Sequence, residues 1–203
     1  MQNLQKTISY KSKVFSTSNL VKMSILAIFS YVLMLVSFPL PIFPGFLKLD
    51  LSDVPPLIGG FALGPVAGML IQLIKNILHF ITKTSTGGVG ELSNFIVGSS
   101  YVITASFIYH LKKDRTHAIV GVILGTIFMA VTGALSNTYL ILPFYSNFMP
   151  IDAIVKMGTV INSRIVDVPT LVLYGITPFN IFKGAVIACI TLLIYKKISP
   201  LLK

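Results

Sequence analysis

From position 118 to position 142 the chain runs 25 residues without a charged side chain. As a helix this run is about 37 Å long, more than the roughly 30 Å of hydrocarbon in a bilayer. Similar apolar runs cover residues 19–38, 91–111 and 178–198, and a broken one covers 54–82. None alternates polar with apolar residues as a membrane β-strand does over about ten residues. Charged residues make up 11% of the chain, about half the share of a soluble domain. The expected fold class is therefore an all-α membrane protein.

The formal net charge is +10. In a soluble domain this would point to nucleic acid; here the excess of Lys and Arg in loops on one side of a membrane accounts for it, and no nucleic-acid partner is expected. Cys189 lies inside an apolar run and reads as a small core residue. The basic, polar N-terminus precedes an apolar run too long for a signal-peptide core, so that run reads as an uncleaved first span.

Residues 54–82 are interrupted by Gly59-Gly60 and by Gly64-Pro65, so they form either one kinked helix or two helices. Loop charge discriminates. With two helices, six spans and both termini in the cytoplasm, the inner loops hold ten Lys and Arg and the outer loops four; with one helix the count is seven against seven. Only the first obeys the positive-inside rule. The expectation is a cytoplasmic segment 1–18, one six-helix transmembrane domain over 19–198 and a cytoplasmic tail 199–203. The second helix is then about 15 Å long. Either the bilayer thins around it or the polar segment before it dips into the outer half of the bundle as a plug, since irregular backbone at membrane depth must be buried in protein or line a cavity. A short interfacial helix is expected near residues 151–165.

With this topology the polar residues of the spans gather near the outer surface. Asn137 lies some 29 Å into its span from the inner end; Glu91 and Asn94 open another; Asn180 and Lys183 lie in the first turns of the last, where Thr177-Pro178 reads as N-cap and N1. Asp50, Asp53, Asn147 and Asp167 fall in outer segments. Intramembrane polar residues face an interior or a cavity, so an outward-facing pocket is expected. Each also has a plainer reading: Glu91 as a helix-dipole partner, Asn147 as a turn residue, Asn137 as a bridge between helices, Lys75 and His79 as inter-helix partners. Lys183, a cation near a helix start, opposes the dipole and needs an acceptor: Asp167, Glu91, a carbonyl or a ligand oxygen. No nucleotide-binding loop, hydrolase nucleophile motif or Cys/His metal set is present in the sequence. An intramembrane enzyme using Glu91 and His79, and a structural adaptor with an empty bundle, are the alternatives from other classes.

The segments LKLDLSDVPPLIGGFALGPVAG (47–68), GGVGELSNF (87–95), NTYLILPFY (137–145) and YGITPFNIFKG (174–184) together resemble the riboflavin-binding S components of energy-coupling factor transporters, in order and across residues 18–197. The resemblance implies six helices with a long first external loop plugging the outer side of the bundle over the vitamin. It implies a multi-pass protein of the bacterial cytoplasmic membrane that is not an enzyme and needs no cofactor, with riboflavin as the transported ligand. The implied partners are a transmembrane coupling subunit and two cytoplasmic ATPases. Asn180 and Lys183 fall on the family's ligand-binding positions, joined by Asn147, Asn137, Asn94, Glu91 and Asp53, and by Phe43, Phe46 and Leu47 of the plug. Small residues of the first helix, here Ser24, Ala27 and Ser30, are the expected docking face. Lys183→Ala or Asn180→Ala is expected to weaken binding at least tenfold and Lys75→Ala to do less. An S component for another vitamin, thiamine or biotin, is the nearest alternative.

Overall fold

The structure, a computed structural model, describes residues 15–202, with side chains up to Tyr195. The expected N-terminal segment lies outside the described residues as far as position 14. Of the expected tail, Lys203 lies outside them, and 199–202 continue the last helix.

Helix α1 spans Thr17–Leu35, with the Ser16 side chain accepting from Asn19 N–H at its start. It stops short of the expected residue 38, ahead of a proline-rich stretch that offers few N–H donors. The connector that follows carries a two-residue antiparallel ladder, β1 (Phe38–Pro39) with β2 (Lys48–Leu49). Helix α2 (Val54–Leu63) and helix α3 (Pro65–Lys83) are separate. Gly64 between them has φ 113° and ψ 163°, a conformation open in practice to glycine alone, and Pro65 at the next helix start has no N–H to lose.

Helix α4 is Val89–Lys112 and helix α5 is Arg115–Ser136. They cross so closely that a Cβ on Gly121 would sit 2.6 Å from the Ala105 carbonyl oxygen. Helix α5 runs on through a π turn, Asn137–Ile141, into α6, Leu142–Tyr145. Helix α7 (Ile151–Thr159) lies where the short interfacial helix is expected, and ends earlier. Helix α8 (Val168–Leu171) passes through a second π turn, Val172–Ile176, into α9, Thr177–Leu202.

This corrects the start of the last span. Thr177 is no N-cap, because the helix already begins at Val168, where Asp167 and Thr170 form a capping box. Both π turns end two residues before a proline, Pro143 and Pro178. A proline inside a helix lacks the N–H and crowds the carbonyl four residues back; the wider i→i+5 turn accommodates both, and such turns recur at functional sites.

The core is built on α2. Leu57, Ile58 and Phe61 pack with Tyr101 and Val102 of α4, Val122 and Met129 of α5, and Ile187 of α9. Phe61 stacks on Tyr109, and the Tyr195 ring meets both edge-on. Among the described residues five helices are long and apolar enough to cross a membrane: Thr17–Leu35, Pro65–Lys83, Val89–Lys112, Arg115–Tyr145 and Val168–Tyr195, with Val54–Leu63 shorter. Their outer faces expose Phe29, Phe107, Ile123, Phe128 and Leu193. Hydrocarbon, not water, suits such a surface, so this is a helical membrane protein. Cys189, expected in the core, is exposed on α9 one turn from Leu193.

Candidate ligand-binding site

A cavity of about 180 Å³ lies between the connector, the first half of α4, the end of α5, α7 and the start of α9. One water needs only some 10–15 Å³ of such volume, so this is a small-molecule site rather than a packing gap. Phe46, Leu47, Lys48 and Asp53 form its connector wall, and Thr86, Gly90, Ser93, Asn94, Val97 and Gly98 its α4 wall. Met129, Asn137, Ile141, Leu142 and Tyr145 come from the α5–α6 rod, and Met149, Ile154 and Met157 from α7 and the turn before it. Ile176, Phe179, Asn180 and Lys183 close it.

The two π turns set the amides. Asn137 Nδ2 donates to Gly133 O at 2.8 Å and Asn180 Nδ2 donates to Ile176 O at 3.0 Å. Each amide spends one N–H on its own helix. Its oxygen and remaining N–H stay uncommitted at the cavity wall, a matched donor and acceptor. No room remains for a Cβ at Gly133, because the Asn180 amide fills that space.

Below the amides lies a buried cluster of four charges. Lys183 Nζ donates to Asp50 Oδ2 at 3.1 Å and stands 3.1 Å from Asp53 Oδ2. Lys75 Nζ donates to Asp53 Oδ1 and, at 2.7 Å, to Ser52 Oγ. Gln72 Nε2 donates to Asp53 Oδ1 at 2.7 Å, and Ser52 N–H to Asp50 Oδ1 at 2.8 Å. These four charged side chains are at most 5% exposed. Two carboxylates and two ammonium groups balance, which is the condition for burying charge. The cluster ties the connector to α3 and α9, and Ser30 Oγ of α1 donates to Ser52 O beside it.

The acceptor of Lys183 is thus the Asp50–Asp53 pair. Asp167 is exposed and caps α8, where donation from the Thr170 hydroxyl and backbone N–H holds its carboxyl below the usual range. Lys183 also stands well inside the helix that begins at Val168, so it does not oppose the start of a dipole.

The cavity gathers Asn94, Asn137, Asn180, Lys183, Asp53, Phe46 and Leu47. Three other expected site residues lie off its wall. Phe43 sits behind, edge-on to Phe179 at 5.4 Å and against Phe182. Glu91 accepts from His79 Nδ1 at 2.7 Å and from the Thr84 and Thr86 hydroxyls, fastening the turn between α3 and α4. Asn147 is exposed and donates to Phe144 O at 3.1 Å, as a turn residue does. Of the expected docking residues only Ser24 is on the surface. Ala27 packs with Ala67 and Ile71 of α3, and Ser30 is bound to Ser52 O, because this face of α1 is the one that meets the bundle. Sequence reasoning missed Gln72 and Ser52 in the cluster, and Met129, Met149 and Met157 in the wall. The signal for the wall lay in the two prolines, which mark the widened turns beside it.

A family model for the substrate-specific component of ECF transporters matches residues 18–195, nearly the whole chain. The protein is an ECF transporter S component. It is 34% identical over 193 residues to the riboflavin transporter RibU of Staphylococcus aureus strain TCH60, covering 95% of this chain and 96% of that one. It is 36% identical over 183 residues to the riboflavin transporter FmnP of Bacillus subtilis strain 168, covering 89% and 92%. Among solved structures it superposes on the S component of a bacterial ECF transporter with TM-score 0.71 and 34% identity, over 91% of this chain and 96% of that one. Membership in this family makes the chain a transport component that works with an ECF module, and not an enzyme.

Proposed function

We propose that this S component binds riboflavin at the outer side of a bacterial cytoplasmic membrane and supplies it for uptake. The observation that carries the reading is the cavity: aromatic, aliphatic and thioether walls enclose Asn94, Asn137 and Asn180. Riboflavin has a flat apolar tricycle, an imide edge that alternates acceptors with a donor, and a hydroxylated tail. Apolar walls suit the first, uncommitted amides the second, and further polar side chains the third. The relatives at 34% and 36% identity carry the name riboflavin transporter.

The loop-charge count supports six spans with both termini in the cytoplasm and residues 19–198 as one transmembrane domain. With this orientation the cavity opens outward and the connector over residues 36–53 is its lid, fastened by Phe43 on Phe179 and by the Asp50–Lys183 pair. Closing the lid slows release by replacing water with fixed partners. The energy comes from the partners, a transmembrane coupling subunit and two cytoplasmic ATPases, with the exposed apolar side of α1 around Ser24 as the docking face. Ile25, Ile28, Phe29 and Val32 make up that side.

The test is direct. Protein purified from flavin-containing medium should carry flavin absorbance in the visible range, and the stripped protein should bind riboflavin in preference to thiamine and biotin. Riboflavin should also bind more tightly than its phosphate, since Lys183 is already matched by two carboxylates. Preference for thiamine or biotin would reassign the ligand within the family.

A further inference from the structure

Two contacts fix the register of the antiparallel helices α3 and α4. His79 meets Glu91 at 2.7 Å, and the Gln72 amide occupies the space that a Cβ on Gly98 would need. Seven residues separate Gln72 from His79 on α3, and seven separate Glu91 from Gly98 on α4. The same register sets Asn76, three residues before His79, opposite Asn94, three residues after Glu91.

Both amides are left incomplete. Asn76 is 4% exposed; its Nδ2 donates to Gln72 O at 2.8 Å, and its Oδ1 is buried without a donor. Asn94 Oδ1 is likewise buried without a donor, and so is Gln72 Oε1. The seam between α3 and α4 therefore holds carbonyl oxygens that lack donors, and buried polar groups normally have partners. Of these three side chains only Asn94 lines the cavity.

The terminal torsion of asparagine is broad and two-fold. Half a turn about it exchanges the amide oxygen and nitrogen of Asn94. The nitrogen then faces Asn76, which gains its missing donor, and the oxygen faces the cavity, where it requires a donor from the ligand. Thr86 and Ser93 share the α4 side of the wall, whereas Met129 and Phe179 stand on the α5 and α9 side with Asn137 and Asn180. The pair of uncommitted amides matches an imide edge, and the α4 group of hydroxyls and one amide matches a chain of hydroxyls.

We propose that Asn94, braced by Asn76, is the specificity-determining residue for the ligand's polyhydroxylated tail. This rests on the riboflavin reading and names which wall takes which end of the molecule. The probes are riboflavin and lumiflavin, which keeps the ring system and carries a methyl group in place of the tail. Both are titrated by flavin fluorescence into the flavin-free full chain in detergent. Asn94→Leu should weaken riboflavin tenfold or more and lumiflavin by less than twofold. Asn76→Leu should act in the same direction by about threefold, since it removes the brace and not the contact. If Asn94→Leu fails to fold, Asn94→Ala, which only deletes atoms, gives the same comparison. Equal losses for the two flavins, or no loss for riboflavin, overturns the assignment. A wild-type protein that binds neither flavin refutes the riboflavin reading itself, and this inference with it.

Discussion

Lys75→Met tests the buried charge cluster most sharply. Methionine keeps the unbranched shape and roughly the volume of lysine, so packing changes little. The substitution leaves Asp50, Asp53 and Lys183 with one unbalanced negative charge, in a place where the side chains are at most 5% exposed. Breaking a buried pair by removing one partner costs about 3–5 kcal/mol. For a chain of this length each kcal/mol moves Tm by about 2–4 °C, so the loss is about 6–20 °C. The chain has no Trp, so unfolding is followed by far-ultraviolet circular dichroism, in detergent and without flavin. Asp53→Asn alone should also destabilise. The double variant Lys75→Met/Asp53→Asn restores neutrality with the Asp50–Lys183 pair intact, and should recover about 2–3 kcal/mol relative to the sum of the singles. A Tm within 2 °C of wild type for Lys75→Met, or strictly additive singles, would falsify the charge-balance argument. The structure thus shifts the expectation for Lys75, which does not line the cavity: its loss acts on stability, and on binding only through Asp53.

Asn180→Ala should weaken riboflavin at least tenfold with little change in Tm, because it removes a cavity amide and frees only the Ile176 carbonyl; a titration showing less than a threefold change would count against this placement. Gly121→Ala should lower stability by about 1–3 kcal/mol, since its Cβ would meet the Ala105 carbonyl at 2.6 Å, while Gly45→Ala, with nothing within 4 Å, should leave the melting curve unchanged. Asp167→Ala should speed hydrogen exchange at the Thr170 amide at neutral pH. The folded pKa of Asp167 is depressed by its bonds to Thr170, so the cap acts above the unfolded value of about 4 and is lost as pH falls through the folded one. On acidification wild type should approach the variant, and a difference that persists unchanged in acid would contradict the cap.

The spans were legible because lipid imposes a coarse rule, a long run without charge, and sequence displays that directly. The Gly64 break was legible because glycine followed by proline leaves the backbone few choices. Asn94, Asn137 and Asn180 stood out as polar groups where apolar ones are cheaper. The partner of Lys183 did not, since Asp50 is 133 residues away along the chain and only the fold brings them together. Residue 178 misled for a local reason: proline after threonine reads as a helix start, and nothing in a propensity argument distinguishes a start from a proline admitted by a π turn. The buried face of α1 was hidden too, because small residues suit close packing against one's own bundle as well as against another subunit.

Eight of the ten residues of α2 are buried, and this bears on its length. A helix walled in by its neighbours never touches acyl chains, so the thickness of the hydrocarbon slab sets no minimum for it. Its ten residues need neither a pinched bilayer nor a tilt. The outer helices carry the whole match to the lipid, and the inner pillar stays free to be as short as the chamber above it requires.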